Sequence, residues 1–562
     1  MPRNQRGGAS VALPKPLTPS DAAALRRIFL FQGSNRIPDA VKAADDLTNP
    51  LLKGSMLADR FLGRYYRSTV SDLTDWLSLY RDQPEAPQIH ALLLAKLPRG
   101  NLAPPRPEVP SLSPSLRPPP VANGGDADRN GLLSFDGIGK PAIDLAYQGR
   151  VAPALRLMKS YRLNSVAKAR LQGQMAQALF TANEDEAALA LAQESLRSVP
   201  RSDQNSLVWY IGGLAAWRLD RYDEARQLFQ GGAEAVITAP YLRAATAFWA
   251  SRAWRQAQDP WETIRWLKRA AEDGTTFHGL IARRLLRMDI ALMPARGLLT
   301  QADVDAVAAK PAGLRAFALL QIDQPERAEA ELRTLWPEIQ QDAAFGRSVL
   351  LVASAGGLPD FAAQLASLLQ GPAERFDALR YPVPKLRPSG GFRIDRSLIY
   401  ALTRTESNFN PAAISPAGAR GLMQIMPATG QYIADLSGMG AARLHEPATN
   451  LEIGQRYVAY LAALDGIAGD LIRILASYNS GPGNFQRWGA AIRDNGDPLL
   501  FIEAIPVAET RDFVPEVLSA SWIYAARMRE PMPSLDALAM GEFPRFGQQT
   551  AEQTVLTSSS VN

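Results

Sequence analysis

Apolar residues recur at helical spacing through most of the chain. From Ser20 to about Leu97, the stretches DAAALRRIFLF, IPDAVKAADDL, GSMLADRFLGRYY and VSDLTDWLSLY are short, amphipathic and separated by turn residues, which predicts a run of short helices. The pattern breaks at 101–120, NLAPPRPEVPSLSPSLRPPP, followed by VANGGDADRNG. Such a proline-rich stretch predicts an extended, poorly packed insertion over 101–140. Helical texture resumes after about Pro141. The segment WYIGGLAAWRLDRYDEARQLFQGGAEA predicts a tetratricopeptide-like pair: a large apolar first helix, Gly and Ala at close contacts, a polar turn, then a second helix. Similar turns occur in FTANEDEAALALA, RQAQDPWETIRWLKRAA and LQIDQPERAEAELRTLW. The turn residues Asn183, Asp220 and Asp259 recur at slightly more than the roughly 34 residues of such repeats. A solenoid, in which each pair buries its apolar face on its neighbours, or an irregular helical bundle would both satisfy this pattern.

Around Tyr381 the texture changes again. YPVPKLRPSGG reads as a linker, and a compact segment follows to about Pro531. The expected architecture is therefore mainly α. Residues 1–19 are expected to be disordered and 20–372 to form a superhelical array interrupted by the insertion. A second domain is expected over 373–540 and a disordered tail over 541–562.

Composition excludes several chemistries. There is no cysteine, so no disulfide, thiolate metal site or cysteine nucleophile is available. The three histidines, His90, His278 and His445, are scattered, which argues against a histidine metal site or a Ser-His-Asp triad. The 61 basic and 56 acidic residues leave +5, a mild excess that does not argue for nucleic acid. No run of about 18 apolar residues predicts a membrane-spanning helix. The first residues, MPRNQRGGASVALPKPLTPSD, lack the apolar core of a signal peptide. Either the protein is cytoplasmic, or an export segment was removed or lies upstream of Met1.

The chemistry concentrates after residue 393. IDRSLIYALTRTESNFNP reads as a helix with Asp395 as N-cap, ending near Asn408 ahead of Pro411. Ile394, Leu398 and Leu402 form an apolar stripe, and Glu406 is its next member. Burial and the negative end of the helix dipole would both raise the pKa of such a carboxyl and suit it to general acid catalysis. A glutamate at a frayed helix end, paired with Arg404 or Arg420, is the plainer reading of this helix alone. SPAGARGLMQIMPATG, rich in Gly and Pro, cannot be a regular helix and suits a tight loop beside a groove, with Gln424 offering an amide and Met426 an apolar contact. In LIRILASYNSGPGNFQRW, Tyr478 shares a face with Leu471, Ile474 and Leu475, so it points inward with its hydroxyl available. FIEAIPVAETRDFVPEVL places Glu503 and Glu509 beside prolines.

Five stretches in one order, ES at 406–407, SPAGARGLMQIMP at 415–427, NLEIGQRYVAYL at 450–461, ASYNSGPG at 476–483 and EAIPVAETRDFV at 503–514, resemble the soluble lytic transglycosylase family. TTFHGLIARRLL at 275–286 is similar to a helix of that family's superhelical domain, and the insertion at 101–120 departs from it. The resemblance implies a lysozyme-like catalytic domain in which Glu406 protonates the bond between N-acetylmuramic acid and N-acetylglucosamine. Glu406 then acts as base on the muramyl C6 hydroxyl, giving a 1,6-anhydro end without water. The substrate acetamido group replaces the second carboxylate that most glycosidases use. It further implies that Ser415, Gln424, Met426, Tyr478 and Glu503 line the glycan groove. Ser415 and Gln424 would hold the glycan or its peptide, Tyr478 would bond the reacting sugar or Glu406, and Glu503 would bind rather than transfer protons. Asn479 is expected to cap its helix and Phe409 to pack. No cofactor or metal is implied, the partner is the peptidoglycan strand, and the family's compartment is the periplasm. A hydrolytic muramidase of the same fold, or a non-enzymatic cell-wall-binding scaffold, are the alternatives.

Overall fold

Helices in residues 139–290 start and stop where local chemistry dictates. Asn164, Asn205 and Asp259 each sit at an N-cap and accept backbone N–H bonds from the first turn, with O···N distances of 2.8–3.3 Å; such a cap contributes about 1 kcal/mol. Turns between paired helices are closed by Asn183, Asp220 and Gln258, at φ +64°, +61° and +58°. Asp259, expected as the turn residue, caps the following helix instead, and its neighbour Gln258 makes the left-handed turn. The helices Ser165–Thr181, Asp185–Ser198, Ser206–Arg218, Tyr222–Ala233, Pro240–Gln256, Pro260–Ala271 and Phe277–Leu285 each pack against the next. Close approach needs glycine: a Cβ on Gly213 would lie 2.4 Å from the Phe229 ring. Neighbouring pairs are pinned by Arg218, 2% exposed, which donates from Nε to Asp185 Oδ1 at 2.7 Å and lies 3.9 Å over the Phe180 ring. A charge buried this deeply is tolerable because its partner is buried with it.

The computed structural model describes residues 11–98, 101–102, 104–113, 139–236, 238–290, 299–369 and 377–547. Among them the regular elements are helices, joined by three isolated bridges, Ile414 with Arg420, Arg420 with Ile425 and Asp470 with Arg545. Packing divides the chain into two units: residues 1–118 with 292–384, and residues 119–291 with 385–562. This differs from the expected single array over 20–372 followed by a domain over 373–540. In the first unit, helices near the start bury Leu25 and Ile28 in one core with Val304, Phe317 and Val349, a pairing that sequence proximity does not suggest.

Two stretches expected to be disordered or loose are partly packed there. Leu17 is 4% exposed, and its backbone exchanges hydrogen bonds with the Gln321 amide at 3.0 and 2.9 Å. Leu112, inside the proline-rich insertion, is buried; its N–H donates to Arg333 O at 3.0 Å and its carbonyl accepts from Arg333 Nη1 at 3.1 Å. Extended proline-rich chain leaves backbone groups unpaired, so burial requires such side-chain and backbone partners from elsewhere. Residues 1–10, 114–138 and 548–562, covering the rest of those expectations, lie outside the described residues.

In the second unit, the C-terminal part is built around the helix Ala508–Met528, whose Val514, Val517, Leu518, Trp522, Ile523 and Tyr524 are buried. The helix Arg396–Ser407 lies along it. The expected tail starts late: Phe546 N–H donates to Gly469 O at 2.9 Å, and Leu471 N–H donates to Pro544 O at 2.8 Å. No helix among the described residues is long and apolar enough to cross a membrane.

Candidate active site

The helix Arg396–Ser407 carries Glu406 one turn beyond its buried stretch. Leu398 and Leu402 are 3% and 0% exposed, Ile394 is half-buried at the start, and Glu406 is half-buried at the end. The stripe therefore runs from core to a partly open position. Asp395 holds the N-cap position without a side-chain capping bond, and burial and the nearby Glu530 charge push its carboxyl up to about 6. The helix stops before Pro411, because Asn408 and Phe409 both turn left-handed, at φ +50° and +63°. Asn408 N–H returns to Arg404 O at 2.9 Å, a C-cap that satisfies one of the helix's last carbonyls. Phe409 is buried between the rings of Tyr400 and Tyr524, which fits the packing role expected of it.

The loop that follows is held against this helix by side chains. Ser407 Oγ is within bonding distance of Thr403 O at 3.0 Å and Leu422 O at 2.7 Å, so the residue beside Glu406 pins the loop. Gly421 has φ +77°, and a Cβ there would lie 2.3 Å from Asn450 Nδ2. Asn450 is fully buried on the helix Pro447–Ala462 and serves two backbone groups of the loop and one of the segment just before its own helix. Its Nδ2 donates to Arg420 O at 2.9 Å and Leu444 O at 3.0 Å, and its Oδ1 accepts from Met423 N at 2.8 Å. Met423, fully buried, packs against Gly454. Asn450 was missed as a site residue. Its signal was available: it heads an apolar stripe with Gly454, Val458 and Leu461, much as Glu406 ends one.

The expected groove residues are mostly structural in their observed bonds. Ser415 Oγ accepts from Ala419 N at 3.0 Å, closing its own turn. Gln424, at φ +46°, donates from Nε2 to Ala413 O at 3.1 Å and Gly421 O at 2.8 Å. These bonds leave the Ser415 hydroxyl proton and Gln424 Oε1 without partners among the described residues. Met426 is 43% exposed and begins the helix Pro427–Leu436.

Tyr478 points inward as expected, at 8% exposure, yet its hydroxyl is not free: it donates to Met423 O at 2.7 Å. Its ring lies parallel to Phe513, centroids 6.3 Å apart, and 5.4 Å from Tyr457. Burial, and then the Glu406 charge, push its phenol well above the ordinary range, so the two side chains feel each other electrostatically. Asn479 does not cap its own helix. It accepts from Thr510 Oγ1 at 2.6 Å and donates to Glu509 Oε1 at 3.4 Å, tying two helices together.

Glu503 faces the helical array. Its carboxylate meets the Tyr210 hydroxyl and lies 3.7 Å from His278 Nε2, with 14% of its side chain exposed. Residues nearly three hundred positions apart thus meet inside one unit. Burial pushes Glu503 up to about 7, against the pull of the Tyr210 hydroxyl and the Arg511 charge, while Asp512 adds to the rise. His278 is held down to about 3 by burial and the Arg252 charge, so it is neutral at working pH. An acid that holds its proton more tightly when folded loses stabilisation as pH rises from its ordinary 4.5 through about 7. We therefore expect Glu503→Gln to reduce the loss of stability between pH 5 and pH 7 by on the order of 1–2 kcal/mol. Urea unfolding at the two pH values checks this; an unchanged pH dependence would refute it.

Comparison with known proteins finds matches to part of the chain. Residues 387–500 match the family described as the transglycosylase SLT domain. A soluble lytic murein transglycosylase of Salmonella typhimurium is 37% identical over 169 residues, which cover 29% of this chain and 25% of that protein. Its counterpart from Escherichia coli K12 is 34% identical over 159 residues, covering 28% and 24%. A membrane-bound lytic murein transglycosylase C of Haemophilus ducreyi is 43% identical over 102 residues, covering 16% and 28%. The chain thus spans about a quarter of the length of the curated relatives it matches. The solved structure of an inactive mutant of lytic transglycosylase Slt from Pseudomonas aeruginosa aligns over 93% of this chain and 89% of that one, with TM-score 0.57 and 20% identity. At that identity the likeness concerns fold: a mainly α chain with a superhelical array and a lysozyme-like domain.

Proposed function

We propose that the protein is a peptidoglycan lytic transglycosylase with Glu406 as its catalytic acid, a reading supported by the match of residues 387–500 to the transglycosylase SLT domain family. It cleaves the β-1,4 bond between N-acetylmuramic acid and N-acetylglucosamine and leaves 1,6-anhydromuramyl ends. The observation that carries this reading is the placement of Glu406. It is half-buried at the end of a buried helix, next to a loop locked by Ser407 and Asn450, and within electrostatic reach of Tyr478.

Proton transfer needs a carboxyl in a fixed position, and the locked loop supplies the fixed wall. Glu406 gives its proton to the glycosidic oxygen as the bond to the anomeric carbon breaks. It then accepts the proton of the muramyl C6 hydroxyl as that oxygen closes on the same carbon. Most glycosidases bring a second carboxylate within about 5–9 Å. Neighbouring acids are placed elsewhere: Glu503 is buried beside Tyr210 and His278, Glu509 bonds Asn479, and Glu516 lies 3.7 Å from Arg404. Those partnerships support a scheme in which the substrate acetamido group stabilises the cationic centre. The Ser415 hydroxyl, Gln424 Oε1 and exposed Met426 are the groups of the loop left to meet glycan. Tyr478 acts through Met423, as a support of the loop, and Glu503 binds at the array-facing side. No step calls for a metal or cofactor. Peptidoglycan lies outside the cytoplasmic membrane, so this substrate places the work in the periplasm.

Product masses test the reading. Sacculi digested with the protein should release muramyl ends one water lighter than hydrolysed ends. Hydrated reducing ends alone would make it a muramidase of the same fold. Binding without any release would leave a cell-wall-binding scaffold.

A further inference from the structure

Within the second unit, a solvent-open cavity of about 430 Å³ lies between two turns of the helical array and the helix Pro482–Trp488. Its walls include Tyr147 from the end of Lys140–Tyr147, Asn183 and Glu184 from the turn after Ser165–Thr181, and Arg487 and Trp488. None of the Glu406 loop residues lines it.

The cavity is built rather than incidental. Asn183 Nδ2 donates to Ala491 O at 2.9 Å, and Asp185 in the same turn binds both buried Arg218 and Arg493, the latter at 3.2 Å. The array and the segment after Trp488 are therefore clamped on one side of the opening, so its shape is pre-formed. Two of its residues carry unmet hydrogen-bonding capacity: Asn183 Oδ1, an acceptor, and Trp488 Nε1, a donor, are both buried without a partner. An unpaired buried group of this kind costs about 1–3 kcal/mol unless something satisfies it. Arg487 and Glu184 have no ion pair among the described residues and stand exposed at the rim.

We propose that this cavity is a second carbohydrate site that holds an N-acetylhexosamine unit of the glycan strand; the proposal rests on the glycosidase reading above. The chemistry fits on three counts. The volume lies within the range of small-molecule pockets, roughly 300–1,000 Å³. Two aromatic side chains offer flat apolar faces with polar edges, which suit a pyranose whose ring faces are apolar and whose rim is hydroxylated. An acetamido group is both donor and acceptor, and two of the residues lining the cavity carry an unmatched acceptor, Asn183 Oδ1, and an unmatched donor, Trp488 Nε1. The helix bearing Trp488 follows directly on the one bearing Tyr478, so the two sites lie on consecutive elements.

Calorimetric titration with the β-1,4 tetramer of N-acetylglucosamine, on the full chain carrying Glu406→Gln so that the ligand is not consumed, tests it. Two binding events per chain are expected. Adding Tyr147→Ala and Arg487→Ala, both exposed positions, should leave one. Ala182→Trp, which fills the cavity without removing a polar group, should do the same. A single event in the parent, or two events retained in the folded variants, overturns the proposal. Turnover is not used in this readout. Failure of the glycosidase reading shows up separately, as an absence of cleaved products from the chain with Glu406 intact.

Discussion

Glu406→Gln lowers release of muropeptides from sacculi by at least a hundredfold, and as much as about 10⁴-fold, the range general acid–base catalysis supplies. The amide keeps the size and most of the polarity of the carboxyl, so the thermal midpoint should move little. The substitution removes only the proton that the reaction needs. Glu406 sits at the half-open end of a helix whose preceding turns are buried, so the loss is local. Digestion of purified sacculi, followed by chromatography of the released fragments, measures it. Lysis retained within tenfold would take Glu406 out of its role, whatever the family resemblance says.

The second large effect is expected from a residue that touches no substrate. Asn450→Ala deletes three hydrogen bonds at once and strands two buried backbone groups, Leu444 O and Met423 N, while Arg420 O keeps the Ile425 N–H at 3.1 Å. Each such bond contributes about 1 kcal/mol and each orphaned group costs more, with partial relaxation, so a loss of about 2–4 kcal/mol is expected. Asn450→Asp does not rescue it, because an acceptor then faces two carbonyl oxygens, Arg420 O and Leu444 O. Activity should fall at least tenfold in protein that remains folded. Met423 is the residue whose N–H Asn450 holds and whose carbonyl Tyr478 holds, from opposite sides of the loop. Chemical unfolding together with sacculus digestion reads both effects. A stability loss below about 1 kcal/mol with normal activity would show that the loop is held by other contacts.

These two substitutions probe different parts of one arrangement. In the proposed reaction Glu406 supplies the proton, and Asn450, Ser407 and Tyr478 fix the adjoining loop. A misplacement of about 1 Å at such a wall is enough to cost a large factor in rate, which is why residues one layer away carry effects comparable to those in the groove.

How much of this the chain reveals by itself depends on the range over which the physics acts. The helix bearing Glu406, its ending near Asn408 and the inward face of Tyr478 were legible, because spacing, caps and breakers act over a few residues. The motif order also pointed to the family whose model matches residues 387–500, and with it to a lysozyme-like domain. The same local rules misassigned the turn at Asp259 by one residue, since an N-cap and a left-handed turn residue use similar side chains. The family resemblance implied that Ser415, Gln424 and Tyr478 line the glycan groove. Only the folded loop revealed that their hydrogen bonds go first to Ala419, to Ala413 and Gly421, and to Met423.

What tertiary structure alone decided lies at long separation. Leu112 lies against Arg333, and Glu503 meets Tyr210 and His278. The helices before residue 118 share a unit with those after 292. Periodicity says which face of a helix is apolar, but every such face can be covered by many others. Which one covers it is settled by shape and by the pairing of buried polar groups, and neither is written in any short stretch of sequence.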